Sequence, residues 1–373
     1  MSEKQLDVNA SETPGDVPEE TYQDEINEVL PSNYQITSYG TDPDVDGLVR
    51  RLKEGDIFIP PFQRNYVWSF TQASRFIESL LRGLPVPGIF LAKEEQSERL
   101  LVIDGQQRLR TLQFFFEGQY GVENKKRPFE LQGVVPEFRG LTFQTLKPED
   151  KRRLRNQILH ATVIRQDNPS EDDSSSIYEL FERLNTGGTL LAGQEVRACI
   201  FHGKFNELLS SLNNNSDWRI LYGEQMPHSR MRDQELVLRF LALYSESENY
   251  VDPMKRFLNR FMRDNRDLQI HDAHELEQLF QVTMSEICSG IGKRAFRPSG
   301  TFNAAVFDAV AVGVARATTN TNLPRLSEDS IRASYERLIA DKGFVEATKK
   351  ATTNPAAVKL RIDKSVSEFS SKA

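Results

Sequence analysis

Five residues with small or polar side chains, Asp104 to Arg108, stand together in the stretch VIDGQQRLRTL, directly after an apolar run. Gly105 permits a tight turn and a close approach of the backbone. Gln106 and Gln107 would occupy the first turn of a helix, where backbone N–H groups are unpaired and the helix dipole favours anions. Arg108 adds guanidinium donors that suit phosphate or carboxylate. The pattern indicates an anion-binding turn with one carboxylate beside it.

The carboxylate in question is that of Asp104. A carboxylate next to a bound phosphate usually binds Mg²⁺ or orients a hydroxyl or a water, so Asp104 is the candidate metal ligand. The structural alternative is a helix-capping Asp, a turn Gly and a solvated Gln-Gln-Arg. Spacing alone leaves both interpretations open.

A second cluster, QRNYVW, follows a predicted short strand and is dense in donors and flat rings. Gln63, Arg64 and Tyr66 are candidate phosphate ligands, provided that they lie near the Asp104 turn. Trp68 could stack on a base, but packing in the core is the favoured interpretation.

A third cluster is NTGGT, formed by Asn185, Thr186, Gly187 and the two residues after them. Asn and Gly suit the left-handed backbone at the end of a helix, so a structural C-cap is favoured. The alternative is that these residues line the same pocket with backbone donors. Glu195 and Arg197 follow on the next predicted helix, where a surface pair is the simpler interpretation.

The elements that must position these clusters follow from apolar spacing and cap residues. Ser69 with Gln72 predicts a capping box, and the apolar stripe behind it predicts a helix that ends at Gly83. The remaining predictions for this half are strands over 56–61, 89–92, 100–103 and 158–164, an irregular insertion with aromatic anchors over 119–150, and helices over 106–117, over 177–184 and from about 192.

The chain divides into three predicted parts: a disordered segment over residues 1–33, an α+β domain over 34–205 and a helical domain over 206–373. Residues 1–30 carry nine acidic residues and one Lys, whereas the rest of the chain has 46 basic and 45 acidic residues and is nearly neutral. The acidic segment reads as a solvated tail, with mimicry of nucleic acid as the less favoured alternative.

Composition excludes several classes. Hydrophobic residues make up 38% and charged residues 27% of the 373 residues, which is typical of a soluble globular protein. The longest apolar run, from Phe302, is too short for a bilayer and contains Asp308. The start of the chain lacks the features of a signal peptide, and Cys199 and Cys288 lack metal spacing. We therefore expect a cytoplasmic protein with reduced core thiols and no membrane partner.

The remaining polar groups give weaker indications of function. His271 and His274 lie three residues apart without an evident third ligand, which favours a solvated helix face over a zinc site. The basic run KRRLR at 151–155 is either an exposed helix face or a contact to the DNA backbone. The sequence contains no P-loop and no Ser- or Cys-based hydrolase motif.

Four motifs in order carry a family resemblance: IPPFQRNYVW, ESLLRGLPVP, VIDGQQRLRTL and FERLNTGGTLLAGQEVR. Together they resemble domain-of-unknown-function family 262, the GmrS-like part of GmrSD-type restriction proteins, within the wider ParB/sulfiredoxin superfamily. The resemblance is close over residues 40–205 and looser beyond. It implies an α+β, ParB/sulfiredoxin-like N-terminal domain followed by an all-helical C-terminal domain.

The resemblance also implies roles for particular residues. ParB proteins carry a Gly-Glu-Arg-Arg box where this chain has Gly105 to Arg108, and Arg110 falls where their box has another Arg. Their Gln-Pro-Arg element resembles Gln63-Arg64. Sulfiredoxins place a reactive Cys where this chain has Gln106, so their thiol chemistry is not expected here. The implied ligands are a nucleoside triphosphate and Mg²⁺, with Asp104, Gln107 and Arg108 as the catalytic candidates.

One departure limits the comparison. GmrSD-type proteins carry a second, His-based nuclease module, but none of the five His residues here lies in such a context. The leading hypothesis is therefore a restriction-type anti-phage defence protein that binds and hydrolyses an NTP and engages DNA without that module.

Three alternatives remain: a non-hydrolysing sensor of DNA or its modification that recruits an effector, a direct Mg²⁺-dependent DNA nuclease with Glu78 or Glu195 as further carboxylates, and an assembly subunit whose helical part binds a partner. A partner effector or nuclease subunit and a homo-oligomer are compatible with these hypotheses.

Overall fold

The computed structural model describes residues 36–59, 66–94, 97–121, 126–166, 192–320 and 326–371. Tertiary contacts divide this part of the chain into two units, and the division falls within one helix near residue 195. One unit contains 36–166 with 195–200, and the other contains 192–194 with 201–371. The predicted segment 1–33, the predicted helix 177–184 and the Asn185–Gly187 cluster lie outside the described residues.

The first unit is a mixed sheet with helices. Its strands are β1 Ile36–Thr41, β2 Ile57–Phe58, β3 Ile89–Lys93, β4 Leu100–Asp104, β5 Gln119–Tyr120, β6 Arg127–Pro128 and β7 Ala161–Gln166. Its helices are α1 Val45–Glu54, α2 Phe70–Leu81, α3 Gln106–Glu117, α4 Pro148–Arg155 and the later part of α5 Gly193–Ile200.

The five-stranded sheet has the order β1-β7-β3-β4-β2. β7 is antiparallel to β1 and parallel to β3, whereas β4 is antiparallel to β3 and parallel to β2. Alternation along β4 places Leu100 and Val102 in the larger core with the first helices, and Leu101 and Ile103 in a smaller core with residues of α5. The central strand β4 is thus buried on both faces, whereas the edge strand β1 is exposed over residues 37–41.

Local sequence signals account for most of these elements. Ser69 and Gln72 form the predicted capping box, and the apolar residues of α2 are buried. The predicted strands 89–92 and 100–103 and the helix from Gln106 to Glu117 are confirmed within one residue at either end. The predicted strand 158–164 instead begins at Ala161. Of the predicted strand 56–61 only Ile57–Phe58 is a strand among the described residues, and residues 60 and 61 lie outside them. Within 119–150 the structure adds the β5–β6 hairpin to the predicted aromatic anchors, among which Phe129 is fully buried.

The second unit is helical, as predicted for the chain beyond residue 205. Its helices are α6 Lys204–Leu212, α7 Ser216–Tyr222, α8 Arg232–Glu246, α9 Met254–Asp264, α10 Ala273–Gly290, α11 Ala304–Thr319, α12 Glu328–Ala340, α13 Lys342–Ala347 and α14 Pro355–Ser370. The buried helix α11 packs against α8, α10 and α14. The fold class is therefore α+β with a helical C-terminal part. Every helix in the described parts of the chain is too short or too polar to cross a bilayer.

Both cysteines are free, as predicted. Cys199 is buried beneath the sheet, but Cys288 is only half-buried. The predicted core placement is therefore right for Cys199, whereas Cys288 is not among the buried residues of α10.

A buried ion network crosses the helical unit. Asp308 on α11 accepts hydrogen bonds from Arg239 on α8 at 2.6 and 3.1 Å and from Arg361 on α14 at 2.9 Å. All three side chains are almost completely buried. Because a charge buried without its partner is costly, Asp308 fixes the positions of three helices relative to each other.

Replacing Asp308 with Ala would leave two guanidinium groups buried without their carboxylate. We expect the free energy of unfolding to fall by roughly 3–5 kcal/mol. The measurement is urea denaturation followed by the fluorescence of the buried Trp218 in a Trp68→Phe background.

The matched control is Glu336→Gln, which removes an ion pair with Arg294 that is more than half exposed on both sides. An exposed pair contributes about 0–1 kcal/mol. Equal losses in Asp308→Ala and Glu336→Gln would contradict the structural role given to the buried network.

Candidate functional site

The strand-to-helix turn at residue 105 forms as predicted. β4 ends at Asp104, Gly105 adopts φ +102° and ψ 7°, and α3 begins at Gln106. This φ is unfavourable for any residue with a Cβ. A Cβ at Gly105 would also lie 2.3 Å from Cγ2 of Ile89 at the start of β3. Both the backbone angle and the neighbouring strand therefore require glycine.

The first turn of α3 presents unpaired backbone donors. The first hydrogen bond of the helix runs from the N–H of Leu109 to the carbonyl of Gly105 at 2.9 Å, and Gly105 has no side chain to cap the end. Among the described residues, the N–H groups of Gln107 and Arg108 have no acceptor. This is the arrangement that binds anions at helix N-termini.

Asp104 and Arg108 form a close pair across the turn. Nη2 of Arg108 donates to Oδ2 of Asp104 at 2.5 Å, and the side chains are 13% and 38% exposed, respectively. The other oxygen, Oδ1, accepts no hydrogen bond within the described ranges. The pair holds the guanidinium at the start of α3 and leaves one carboxylate oxygen open.

Arg110 contributes a second cation on the same helix. Its Nε is buried without an acceptor, as is the Nε of Arg108. Burial also lowers the pKa of the Arg110 guanidinium. In the described part of the chain no carboxylate forms an ion pair with Arg110, so its charge lacks a counter-ion. The turn therefore combines two amides and the Arg108 guanidinium with a single carboxylate, and Arg110 lies two residues further along α3.

The side chain of Gln107 has a role that the sequence did not predict. Its Oε1 accepts hydrogen bonds from the backbone N–H groups of Val67 at 3.0 Å and Trp68 at 3.2 Å. Two donors on one oxygen fix the orientation of the amide. Gln107 thus attaches the end of the QRNYVW segment to the turn, and the predicted convergence of these two motifs occurs at Tyr66–Trp68.

Tyr66 is held by the same helix. The hydroxyl of Thr111 donates to the carbonyl of Gln107 at 2.6 Å, so the Tyr66 hydroxyl must donate to Oγ1 of Thr111 at 2.7 Å. Burial raises the pKa of Tyr66. The hydroxyl predicted as a phosphate ligand is therefore engaged within the protein. Trp68 packs against the core, with its ring 5.5 Å from that of Phe76, as favoured from the sequence.

The other predicted residues divide into two groups. Gln63, Arg64, Asn185, Thr186 and Gly187 lie outside the described residues. Glu195 and Arg197 are 2% and 0% exposed, so the interpretation of a surface pair is wrong. Sequence spacing failed here because every residue of α5 from Gly193 to Cys199 is buried, so the helix has no exposed side for a charged pair.

Asp104, the candidate metal ligand, lies in no group of potential metal ligands among the described residues. In the described ranges, no three His, Cys, Asp or Glu side chains are grouped to hold a metal ion. Glu78, considered as a second carboxylate, accepts from the N–H of Val135 at 3.0 Å and lies 3.7 Å from Arg82. It therefore serves to anchor the insertion after α3. His271 and His274 likewise take no part in a metal-ligating group.

Most side chains of the basic run on α4 form hydrogen bonds or ion pairs with residues of the same unit. Lys151 donates to the carbonyl of Gln144 at 2.6 Å, Arg153 pairs with Asp150, and Arg155 pairs with Asp46. Arg152 is exposed and pairs with no carboxylate among the described residues. The exposed-face interpretation accounts for most of these side chains.

One polar pair at the same end of the sheet was missed. Nδ1 of His160 lies 2.7 Å from Oδ1 of Asp42, just outside β7 and β1. The carbonyl of His160 accepts from the N–H of Ile89, the residue against which Gly105 packs. The partners are 118 residues apart in sequence, so no local pattern could have joined them.

The sequence that forms this turn was compared with known protein families. Residues 45–202 match the GmrSD restriction endonuclease, N-terminal domain. The match spans β2 to β4, the Asp104–Arg108 turn and α5, and it supports a GmrSD-type restriction domain over these residues. Such a domain is typical of restriction-type defence proteins.

A curated relative shares part of this similarity. An uncharacterized protein of Methanocaldococcus jannaschii is 30% identical over an alignment of 107 residues, which covers 22% of this chain and 18% of that protein. The aligned portion is thus less than a fifth of the relative's length.

Gly105→Ala should destabilise the first unit more than a glycine-to-alanine change at another left-handed position. Gly140 has φ +76° and no neighbouring atoms within 4 Å of the point that a Cβ would occupy, so it is the matched control. We expect a loss of about 1–2 kcal/mol for Gly140→Ala from backbone strain alone. Gly105→Ala adds overpacking against Ile89, worth a further 1–3 kcal/mol or so. Urea denaturation would show equal losses if the contact with Ile89 were unimportant.

Gln107→Met should release the segment that Gln107 holds. Removing the acceptor leaves the N–H groups of Val67 and Trp68 unpaired, so we expect their hydrogen exchange to accelerate. Gln107→Glu keeps an oxygen acceptor and should preserve the protection. Unchanged exchange at both amides in Gln107→Met would show that Gln107 does not anchor this segment.

Proposed function

We propose that the Asp104–Arg108 turn binds and hydrolyses a nucleoside triphosphate, and that this reaction is coupled to engagement of DNA in a restriction-type defence system. The observation that carries the proposal is the set of donors at the start of α3. The backbone N–H groups of Gln107 and Arg108 lack acceptors in the described part of the chain, and Asp104 holds the Arg108 guanidinium beside them at a turn where only glycine fits. Arg110, two residues further along α3, adds a partly buried guanidinium without a carboxylate partner. Phosphate is the ligand that such a set recognises best.

Arg108 and Arg110 have separate parts in this proposal. Arg108 is held by Asp104 and so meets a phosphate with little loss of side-chain freedom. Arg110 has no counter-ion in the described part of the chain, so a bound phosphate would compensate its buried charge. The backbone N–H groups of Gln107 and Arg108 would take the phosphate oxygens nearest to the helix.

Asp104 could supply one carboxylate oxygen to a magnesium ion. Mg²⁺ in nucleotide sites is usually held by one or two carboxylates together with phosphate oxygens and waters. Asp104 offers one open oxygen, Oδ1, beside the phosphate-binding turn. When bound, the ion would neutralise charge on the phosphates. The protein's own contribution is to orient Asp104 through Arg108 and to keep the turn rigid.

Gln107 is proposed as a positioning residue. Its side-chain oxygen holds Val67 and Trp68, and the segment thereby stays against α3. Gln63 and Arg64 precede this segment by only a few residues, so the attachment supports their proposed place on the opposite wall of the nucleotide site. Gln106, Asn185, Thr186 and Gly187 remain proposed nucleotide contacts on the strength of the family resemblance.

The ParB/sulfiredoxin-like fold is proposed together with this activity. The support is the strand–glycine–helix turn of Asp104 to Arg108, on a small mixed sheet, at the place where the resemblance locates the phosphate-binding box. DNA as a partner is proposed from the match to a restriction-endonuclease domain. A partner effector or nuclease subunit would then perform any cleavage.

A second candidate function is a sensor that binds nucleotide or DNA phosphates without turnover. The observation in its favour is the 2.5 Å contact between Asp104 and Arg108. A carboxylate occupied by a guanidinium is less available to hold Mg²⁺ or to orient water. Binding would then survive while hydrolysis is absent.

The proposal is tested by calorimetric titration of NTP with Mg²⁺ into the wild type, Asp104→Ala and Arg108→Gln. We expect Arg108→Gln to weaken binding by roughly tenfold or more, since a charge-assisted hydrogen bond to phosphate contributes about 1.5–3 kcal/mol. Asp104→Ala should remove the dependence of binding on Mg²⁺. Arg152→Gln, an exposed cation on α4, is the control and should bind as the wild type does.

Three outcomes separate the candidates. Phosphate release that rises with added DNA supports the hydrolysing protein. Tight binding without phosphate release supports the sensor. No measurable binding of any NTP by the wild type would overturn the hydrolysing protein, and a lack of DNA binding as well would overturn the sensor.

A further inference from the structure

A histidine–aspartate pair, His160 with Asp42, lies at the same end of the sheet as the Asp104–Arg108 turn, and the proposed hydrolysis does not use it. Nδ1 of His160 is 2.7 Å from Oδ1 of Asp42, and both side chains are more than half exposed. An exposed pair of this kind contributes little to stability. The pair is therefore accessible to a ligand and is not needed to hold the fold together.

The backbone that carries the pair is held on both sides. Thr41 pairs with Ala161 where β1 ends and β7 begins. A further bridge joins Asp44 to Ile158. The two residues of the pair lie between these pairings, so their positions relative to each other are set by the backbone.

Two glycines make room for the imidazole ring. A Cβ at Gly40 on β1 would lie 2.9 Å from Cε1 and 3.5 Å from Nε2 of His160. A Cβ at Gly88, directly before β3, would lie 3.5 Å from Cδ2 of the ring and 2.8 Å from the carbonyl oxygen of the same histidine. The ring thus lies over two positions without side chains, and the side chain that would otherwise meet its Nε2 edge is missing.

The ring and the turn are two strands apart. The carbonyl of His160 accepts from the N–H of Ile89 at 2.9 Å, and Ile89 is the residue against which Gly105 packs. Phe90, the next residue of β3, pairs with Asp104 on β4. Neighbouring strands are about 4.7–4.9 Å apart, so the backbones of His160 and Asp104 are separated by roughly 10 Å.

The aspartate decides what the ring can bind. An ionised carboxylate only accepts, so Nδ1 of His160 carries the proton that Asp42 accepts. Nε2 is then an acceptor in the neutral ring and a donor in the protonated ring, and it has no partner in the described ranges. An ionised phosphate has no proton to donate to the neutral ring, whereas a hydroxyl group both donates and accepts. A hydroxyl is therefore the group that suits Nε2 in either state.

The distance from the turn selects among the hydroxyls of a nucleotide. A phosphate held by the first amides of α3 is too far from the ring for direct contact, because roughly 10 Å separates the two backbones. The ribose follows the phosphates directly, and its hydroxyls are the first donors along the molecule. The bases have donors as well, but these lie beyond the ribose and differ from base to base.

We propose that Nε2 of His160, oriented by Asp42, binds a ribose hydroxyl of the nucleotide whose phosphates occupy the turn, so that the protein distinguishes ribonucleotides from deoxyribonucleotides. This inference rests on the proposed function of the turn. His160 determines specificity, and Asp42 is a positioning residue that fixes the proton on Nδ1.

The experiment is calorimetric titration of the full chain with nucleotides in the presence of Mg²⁺. Titrations with ATP, CTP, GTP and UTP identify the triphosphate that binds the wild type most tightly, which is then compared with its 2′-deoxy and 3′-deoxy forms. We expect one deoxy form to bind roughly three- to tenfold more weakly, as for the loss of one uncharged hydrogen bond. In His160→Ala the ribonucleotide should bind as weakly as that deoxy form.

Further variants separate this contact from a general loss of binding. His160→Gln places an amide oxygen near the position of Nε2 and should recover part of the preference. Asp42→Ala leaves the ring without its orienting partner and should reduce the preference. Arg108→Gln should weaken all forms equally and keep their ratio. His274→Ala, which changes an exposed histidine of the helical unit, is the matched control and should behave as the wild type does.

Thermal melts of each variant show that it is folded. The inference is overturned if the wild type binds the ribonucleotide and both deoxy forms equally, or if His160→Ala keeps the preference. In either case the proposed function of the turn still stands, because the nucleotide binds. A wild type that binds no nucleotide overturns the nucleotide-binding function and this inference together.

Discussion

The left-handed backbone at Gly105 is the constraint on which the candidate site depends. A residue with a Cβ would need to adopt an unfavourable φ and to displace Ile89, so the chain can reverse here only through glycine. The reversal places Asp104 at the end of one strand and Arg108 one helical turn later, close enough to pair. It also leaves the first amides of α3 without acceptors. The anion-binding character of the turn follows from this one backbone geometry.

The two units differ in how their buried cations are compensated. In the helical unit, Asp308 balances Arg239 and Arg361 in the core, and the network is closed to solvent. In the first unit, Arg110 keeps a partly buried charge without a carboxylate partner among the described residues. A network of the first kind stabilises a fold, whereas a cation of the second kind is stabilised when an anion arrives.

Much of the fold could be predicted from local sequence because caps and apolar spacing are local signals. Ser69 and Gln72 fixed the start of α2, and Gly118 ends α3 in a left-handed conformation. Helix α1 was missed although Asp44 caps it and its apolar residues follow helical spacing. β1 was missed because ITSYGT is mostly polar. The attachment of Val67 to Gln107 spans 40 residues, and such a pairing is decided by tertiary packing rather than by neighbours in sequence.

Gln107 connects the turn at the start of α3 to the segment of Val67 and Trp68. Its backbone N–H belongs to the turn that we propose to bind phosphate, and its side-chain oxygen accepts from Val67 and Trp68. The carbonyl of Trp68 in turn accepts from the hydroxyl of Tyr120, whose ring packs in the aromatic core. The first turn of α3 is therefore joined to that core through two successive hydrogen bonds, so a substitution of Tyr120 would act on the candidate site through the backbone of Trp68.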